Sequence, residues 1–219
     1  MARLLFEKVG NAVWISHLDL MRLFQRAFKR ANIPLKHTQG FNPRPSVSIA
    51  LPMSVGVESI CELLDFELEG DSLPCEEILA RLNEVLVEGV RVLQVYEDGR
   101  KLRDLSLLSC VVTLEYDAGV GENTVAQLET LFRRESLPVM KKSKNGPVEQ
   151  DIAPMIRRLE VSREDAYTVS IHAVICCQNP AMNPMQLIGA IERHLPDQMP
   201  NHGICRRLEI LDGSEMVFR

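Results

Sequence analysis

The stretch Ser16–Pro34, SHLDLMRLFQRAFKRANIP, decides how the first half of this chain folds. Ser16 is a favoured helix N-cap, and Asp19 stands three residues later, where the helix dipole favours an acid. Apolar residues then recur with the spacing of one buried helical face, at Leu20, Leu23, Phe24, Ala27 and Phe28. The stretch therefore predicts an amphipathic helix that begins after Ser16 and ends before Pro34.

The segments on both sides of this helix have the pattern of a small α+β domain. Arg3–Val9 precedes the helix as a predicted strand, closed by Gly10 and Asn11. After the helix, the pattern predicts strands at Val47–Leu51, Cys61–Leu68 and Val90–Tyr96, with a second amphipathic helix between Pro74 and Gly89. The order β-α-β-β-α-β predicts a ferredoxin-like domain over residues 1–98.

The second half repeats this order less regularly over residues 105–219, after a charged boundary at Glu97–Asp104. The predicted elements are strands at Ser109–Tyr116, Tyr167–Cys177 and Arg206–Leu211, and helices from Thr124 to about Arg134 and from Asn183 to about His194. Pro138–Met140 is predicted to be extended, KKSKNGP (Lys141–Pro147) to be a hairpin tip, and Val148–Asp165 to be irregular. The sequence thus predicts an α+β fold with two tandem ferredoxin-like halves, the second less regular, and no convincing sequence repeat between them.

The composition is that of a globular protein, with 46% hydrophobic and 25% charged residues in a chain of 219. This balance excludes a disordered chain, and the length suits two domains of roughly 100 residues each. Its apolar runs are all far shorter than the ~20 residues needed to span a bilayer. The N-terminal MARLLFEKVG lacks the features of a signal peptide. These features predict a cytoplasmic protein without a membrane partner.

The six cysteines show neither CxxC pairs nor a zinc spacing. Cys176 and Cys177 are adjacent, but neighbouring strand residues point to opposite faces and make poor joint ligands. A glycine-rich phosphate loop, a nucleophile elbow and an HExxH motif are also absent from the sequence. The sequence therefore predicts no metal site and no cofactor.

The net charge of −5 hides a segregation of charge along the chain. Residues 1–53 carry eight basic side chains and only two acids, Glu7 and Asp19, whereas residues 58–98 are strongly acidic. A uniformly acidic protein repels nucleic acid, but a separate basic patch still attracts a polyanion locally. The charge pattern therefore leaves nucleic-acid binding open for the first half.

A basic stripe lies on the first helix, opposite its apolar face. No acid follows Asp19 on this side, and like charges four residues apart are mildly unfavourable unless an anion meets them. The alternative is an ordinary solvated helix face. The candidate phosphate contacts are Arg22, Arg26, Lys29 and Arg30 on the helix and Lys36 just after it.

The segment HTQGFNPRP that follows is stiffened by its prolines. Pro43 and Pro45 restrict the backbone, and Gly40 permits a sharp turn. Such a frame presents Phe41 and Arg44 in the way that single-stranded nucleic acid is held, with a stacking ring beside a guanidinium. The alternative is a structural corner with Phe41 packed into the core, and the sequence leaves both open.

Two further groups of residues are candidates. Lys141, Lys142 and Lys144 surround the predicted hairpin tip and suit phosphate contacts, although a solubilising loop has the same composition. His17 and His37 flank the basic helix, and a metal-independent ribonuclease uses such a group as a general base. For His17, packing and hydrogen bonding at the helix start is the simpler role.

Several motifs together resemble a known family. The blocks SHLD, QGFNP-x-P, ALP and VGVES, in order along residues 16–59, resemble the bacterial radical-SAM-associated domain of unknown function. That domain occurs alone and fused C-terminal to radical SAM proteins, so the resemblance implies a radical SAM partner. Arg44 stands where the family often has a histidine, and arginine favours phosphate binding over acid–base chemistry. The CxxxCxxC cluster motif of radical SAM enzymes is missing, so this chain is not itself the radical enzyme.

The leading hypothesis is a non-catalytic RNA-binding accessory protein of a radical SAM enzyme, acting on rRNA or tRNA in RNA modification or ribosome maturation. The first alternative is a metal-independent ribonuclease, because the tandem halves resemble CRISPR-repeat-processing endonucleases at the level of fold. The second is a protein adaptor, with the acidic region or the GFNPRP loop docking on the radical enzyme. Catalysis is not excluded, but a non-catalytic role is favoured.

Overall fold

The computed structural model describes residues 1–70, 73–143 and 146–219. The chain divides into two compact units, Met1–Asp104 together with Arg219, and Leu105–Phe218. Both units combine two helices with antiparallel strands. The α+β class predicted from the sequence is therefore confirmed.

The first unit contains the six elements of a ferredoxin-like fold. They are β1 (Ala2–Lys8), α1 (His17–Arg30), β2 (Val47–Ile49), β3 (Val57–Phe66), α2 (Cys75–Val85) and β4 (Val90–Glu97). The strands pair antiparallel in the order β4-β1-β3-β2. The predicted β-α-β-β-α-β order is confirmed, although β3 begins four residues earlier than the predicted Cys61.

The core of the first unit lies between one face of its sheet and the two helices. Leu20, Phe24, Ala27 and Phe28 of α1 are buried, as the apolar spacing predicted. The Phe24 ring meets Phe6 of β1 edge-on at 4.7 Å between centroids, a favoured aromatic geometry. Ser16 is the N-cap, and its hydroxyl accepts a hydrogen bond from the Asp19 amide at 3.2 Å. The residues that predicted α1 are those that hold it in place.

The opposite face of this sheet carries a buried ion pair between neighbouring strands. Arg3 on β1 lies opposite Asp65 on β3, and Arg3 Nη2 donates to Asp65 Oδ2 at 3.1 Å. Both side chains are buried. Loss of one partner would leave an uncompensated charge away from water, which is strongly destabilising. The pair therefore ties the register of β1 to that of β3.

The second unit has the same order with one insertion. Its elements are β5 (Leu105–Glu115), α3 (Thr124–Phe132), β6 (Pro138–Ser143), β7 (Gly146–Asp151), β8 (Ile156–Arg163), β9 (Thr168–Cys176), α4 (Gln186–His194) and β10 (His202–Asp212). The strands pair antiparallel in the order β10-β5-β9-β8, while β6 and β7 form a separate hairpin between α3 and β8. Without that hairpin the unit is again β-α-β-β-α-β, so the prediction of a less regular second ferredoxin-like half is confirmed.

The prediction that Val148–Asp165 is irregular is wrong. The segment contains the end of β7 and all of β8. Within the sheet of this unit β8 pairs only with β9, and only Val161 of its residues is buried. An edge strand with so little buried surface lacks the apolar alternation from which strands are predicted.

Helix α4 packs closely on β10 at a glycine. A Cβ on Gly203 would lie 2.3 Å from Cδ1 of Ile188. A larger residue at position 203 would therefore require the Ile188 side chain to move.

Among the residues described, no helix combines the length and the apolar character needed to cross a membrane.

Candidate nucleic-acid interface

Three arginines of α1 line one groove of about 410 Å³. Arg22, Arg26 and Arg30 follow each other at intervals of four residues, so their side chains stand one above another on the exposed side of the helix. The apolar part of the lining is Ile15, Leu23 and Val87. A row of guanidinium groups beside an apolar floor suits the phosphates and sugars of a nucleic-acid strand.

The arginines of this stripe differ in their partners. Arg22 Nη1 lies 3.0 Å from Asp19 Oδ1, and Arg30 Nη2 donates to the Val85 carbonyl at 2.9 Å. The hydrogen bond from Ser16 and the contact with Arg22 lower the pKa of Asp19, so this carboxylate stays charged. The expectation of a stripe without partners is therefore wrong for Arg22 and Arg30. Within the described part of the chain, Arg26 and Lys29 make no hydrogen bond or ion pair through their side chains.

Lys36 is placed differently from the helix residues. It lies after α1, where its amide donates to the Glu67 carbonyl at 2.9 Å. Its Nζ is 3.0 Å from Glu67 Oε2, and the pair is largely exposed to solvent. An anion at Lys36 would have to compete with this carboxylate.

The segment between Thr38 and Arg44 is a loop with a hydrogen-bonded base. His37 pairs with Pro45 as an antiparallel bridge, and the Thr38 amide donates to the Arg44 carbonyl at 2.8 Å. The Arg44 amide donates in turn to the Thr38 hydroxyl at 3.0 Å. At the tip the Phe41 ring is fully exposed, which excludes the alternative that this ring packs into the core. The Arg44 side chain is exposed as well.

The predicted lysine-rich tip lies on the inserted hairpin of the second unit. Lys141 is exposed and pairs with Val148, and the backbone of Lys142 pairs with Pro147. Lys144 lies outside the described residues. At the base of the hairpin, the Leu137 amide donates to Asp151 Oδ1 at 2.7 Å and the Ser136 hydroxyl to Oδ2 at 2.7 Å. These bonds, with the Leu137 amide contributing most, lower the pKa of Asp151.

The two candidate histidines occupy different environments. His17 is the first residue of α1 and half-buried, and its Nδ1 is buried without a hydrogen-bond partner among the described residues. His37 is exposed at the base of the Thr38–Arg44 loop. His37 therefore has the access to solvent that a general base needs, and the Nδ1 atom of His17 lacks it.

A second cavity, of about 580 Å³, opens where α1 ends and the loop begins. Its walls are apolar and come from Phe28, Ile33, Pro34, Leu35 and Pro45. Its polar lining comes from Gln25, Lys29, Asn32, His37 and Glu69. An apolar cavity of this size with a few polar groups is the usual form of a small-ligand site. Lys29 thus stands at the boundary between the basic stripe and this cavity.

The backbone around α1 explains how this cavity forms. Asn32 adopts a left-handed conformation with φ of 54°, and the Ile33 amide donates to the Phe28 carbonyl at 3.0 Å, which closes the helix end. Leu35 then pairs with Leu68 beside β3. The chain turns at Asn32 and runs back along the sheet, leaving the cavity between the last turns of α1 and this extended segment.

An exposed apolar patch lies at the opposite end of α1. The single tryptophan, Trp14, is 70% exposed, and Leu18 is 67% exposed. The indole packs beside Gly56, next to the half-exposed Val55. Tryptophan is enriched among the residues that dominate protein–protein interfaces.

Several of these residues were missed by the sequence analysis. No recognisable motif contains Trp14, Gln25, Asn32 or Glu69. Asn32 does stand two residues before Pro34, and an asparagine followed closely by a proline is typical of a helix end.

Across residues 1–70, 73–143 and 146–219, no three His, Cys, Asp or Glu side chains are grouped so that they could hold a metal ion.

Comparison with solved structures shows the fold of this chain. It is similar to a chain in the crystal structure of a Cbf5–Nop10–Gar1 complex, with 8% identity and a TM-score of 0.52 over 95% of this chain and 48% of that one. This chain thus spans about half the length of that chain. It is also similar, with 9% identity and a TM-score of 0.27, to an unknown protein from Galdieria sulphuraria, over 94% of this chain and 95% of that one.

Comparison of sequences identifies the family. No curated protein matches the chain. A family described as "Uncharacterized protein conserved in bacteria (DUF2344)" matches residues 2–184, which is most of the sequence. The match includes the basic helix, the Thr38–Arg44 loop and the inserted hairpin. The chain therefore belongs to this family of proteins conserved in bacteria, DUF2344.

Proposed function

We propose that this protein is a non-catalytic RNA-binding accessory protein that works in the cytoplasm beside a radical SAM enzyme, in modification of rRNA or tRNA or in ribosome maturation. The observation that carries the RNA-binding part is the fully exposed Phe41 ring at the tip of a loop closed by hydrogen bonds. A stiff loop with an exposed aromatic ring loses little entropy when a base stacks on it.

The basic residues supply the attraction in this proposal. Arg22, Arg26 and Lys29 contact phosphates along α1, and the exposed Arg44 guanidinium adds a contact beside Phe41. Phosphate contacts hold a strand without regard to its sequence, and stacking selects unpaired over paired nucleotides. The expected ligand is therefore a single-stranded loop or end of a structured RNA.

The test is the salt dependence of binding to an unstructured ten-nucleotide RNA, followed by fluorescence anisotropy. A double variant with Arg22→Ala and Arg26→Ala is compared with Arg133→Ala and Arg134→Ala, two exposed arginines at the end of α3. We expect the slope of log K against log salt to fall by about 0.7 for each lost phosphate contact in the first variant only. Equal slopes in all three proteins would remove the stripe from the interface.

The accessory role requires a contact with the radical SAM enzyme, and the motif resemblance is its support. Trp14, Leu18 and Val55 form the surface proposed for this contact, because they are exposed and apolar. The measurement is co-purification of the radical SAM protein from the native cell, with and without nuclease. Recovery of the radical SAM protein that survives nuclease and is lost with Trp14→Ala supports a direct contact. If this contact is found but the protein binds no RNA in the anisotropy test, the adaptor role is the one supported.

A metal-independent ribonuclease is the second candidate, because His37 and Lys29 line the same cavity. The neutral His37 imidazole would take the proton of a ribose 2′-hydroxyl, whose oxygen attacks the adjacent phosphorus. The bond from phosphorus to the 5′ oxygen breaks, Lys29 protonates that oxygen, and a 2′,3′-cyclic phosphate and a 5′-hydroxyl remain. Incubation of RNA with the protein and EDTA tests this. Cleavage that disappears in His37→Ala supports it, and intact RNA excludes it.

A further inference from the structure

We infer that the 580 Å³ cavity at the end of α1 binds one unpaired nucleobase that carries an exocyclic amino group, as part of the same RNA strand that follows the basic stripe. This inference rests on the proposed RNA binding and adds to it a specific site and a base preference. The phosphate contacts and Phe41 carry no such preference, because every nucleotide has a phosphate and every base has a stacking face.

The size and the walls of the cavity fit a base. Ligand sites for small molecules have volumes of about 300–1,000 Å³, and 580 Å³ lies within this range. Phe28 and Leu35 are buried and form the floor of the cavity, while the exposed Pro34 and the half-buried Pro45 present apolar surface at its opening. A nucleobase that has left its stack needs apolar surface on its faces, which these walls provide.

The polar groups at the rim fit the edge of a base. Gln25 and Asn32 have side-chain amides, and Glu69 has an exposed carboxylate. In the described part of the chain, the side chains of these three residues make no hydrogen bond. A base edge is read by such groups, which both donate and accept.

Glu69 sets the base preference in this inference. A carboxylate accepts hydrogen bonds and donates none at neutral pH, so it pairs with an amino group. Adenine, cytosine and guanine carry an exocyclic amino group, whereas uracil presents carbonyl oxygens on both sides of its single ring N–H. The oxygens of uracil would face the oxygens of Glu69, and the site therefore discriminates against uracil.

Charge and position link the cavity to the stripe. Lys29 is exposed, lies three residues after Arg26 on α1 and forms part of the cavity lining. Its ammonium group can hold the phosphate of the nucleotide whose base enters the cavity. His37 also lines the cavity and pairs with Pro45 at the base of the Phe41 loop, so the next base of the strand would pass along this loop.

The experiment compares two ten-nucleotide RNAs, oligo(U) and the same RNA with one central adenine, by fluorescence anisotropy. We expect wild-type protein to bind the adenine-containing RNA about tenfold more tightly, the lower part of the range for one recognised base edge. Gln25→Trp fills the cavity without a change in charge, and Gln127→Trp on the exposed side of α3 is its control. Gln25→Trp should lose the preference for the adenine-containing RNA, and Gln127→Trp should keep it.

A second variant separates base recognition from a change of shape. Glu69→Gln keeps the size of the side chain but can donate to a carbonyl, so it should reduce the preference for adenine by improving the binding of oligo(U). The base site would be overturned if wild-type protein bound the two RNAs with equal affinity while the double variant with Arg22→Ala and Arg26→Ala bound RNA less tightly. The cavity would then have another occupant. Absence of binding to either RNA would overturn the proposed function together with this site.

Discussion

Thr38 and Arg44 exchange two hydrogen bonds that close the loop carrying Phe41. The Thr38 amide donates to the Arg44 carbonyl at 2.8 Å, and the Arg44 amide donates to the Thr38 hydroxyl at 3.0 Å. The Thr38 hydroxyl thus takes the place of the backbone carbonyl that would accept from the Arg44 amide in a regular strand pair. This exchange closes the base of the loop, and the residues at its tip, 39–42, are exposed.

Removal of the Thr38 hydroxyl should weaken RNA binding although this residue contacts no RNA in the proposed complex. A hydrogen bond of this kind contributes about 0.5–1.5 kcal/mol, so Thr38→Val should lower the affinity for single-stranded RNA by about two- to tenfold. Thr38→Ser keeps the hydroxyl and is the matched control. Anisotropy titrations of the three proteins test this, and equal affinities for wild type and Thr38→Val would mean that loop order does not matter.

Phe41 should matter for binding and not for stability. Stacking of one base on an aromatic side chain is worth about 1–3 kcal/mol, so Phe41→Ala should weaken RNA binding at least fivefold, while Phe41→Tyr keeps the ring and the affinity. Because the ring is fully exposed, the thermal unfolding midpoint should be the same in all three proteins. A midpoint lowered by several degrees in Phe41→Ala would show that the ring packs against the protein in solution.

Gly89 is a position where the fold tolerates no side chain. Its φ is +82°, and a Cβ there would lie 2.4 Å from the carbonyl oxygen of Val9, a backbone atom that cannot move aside easily. The left-handed conformation alone is unfavourable for alanine, so Gly89→Ala should lower the free energy of unfolding by about 1–3 kcal/mol or more. Gly213→Ala is the control, because no heavy atom lies within 4 Å of its Cβ position. Urea denaturation of both variants measures the difference, and equal midpoints would contradict the prediction.

The base of the inserted hairpin should respond to acid through Asp151. The amides of Leu137 and Ala153 and the hydroxyl of Ser136 donate to its carboxylate and lower its pKa below the usual 3.8. A carboxylate with a lower pKa in the folded state stabilises the fold fully above its unfolded pKa, and the contribution is lost as the pH falls through the folded pKa. Wild-type protein should therefore exceed Asp151→Asn in stability at pH 6, and the difference should shrink below about pH 4.

The measurement for Asp151 is urea denaturation of both proteins between pH 6 and pH 2. A stability difference that does not change with pH would contradict the prediction, because it would mean that folding does not lower the pKa of Asp151. Protection of the Leu137 amide from hydrogen exchange gives an independent local readout, because this amide donates directly to Asp151.

The sequence predicted α1 because all of its signals are local. Ser16, the apolar spacing from Leu20 to Phe28 and Pro34 lie within one segment, and together they mark where the helix begins, which face it buries and where it ends. Strand β8 was missed for the opposite reason. It is an edge strand whose pairing with β9 depends on backbone hydrogen bonds, and backbone groups leave no pattern in the side chains.

The amino-acid sequence by itself determined the β-α-β-β-α-β order of the first half, the basic stripe of α1 and the proline-restricted loop around Phe41, since helix and strand periodicity and proline restriction act over a few residues. Only the tertiary structure decided that Phe41 faces solvent, that the Val85 carbonyl accepts from Arg30, and that Gln25 and Glu69 line one cavity. Val85 ends α2 and Glu69 follows β3, whereas Arg30 and Gln25 lie on α1, and contacts between such distant segments have no local signal in a single sequence.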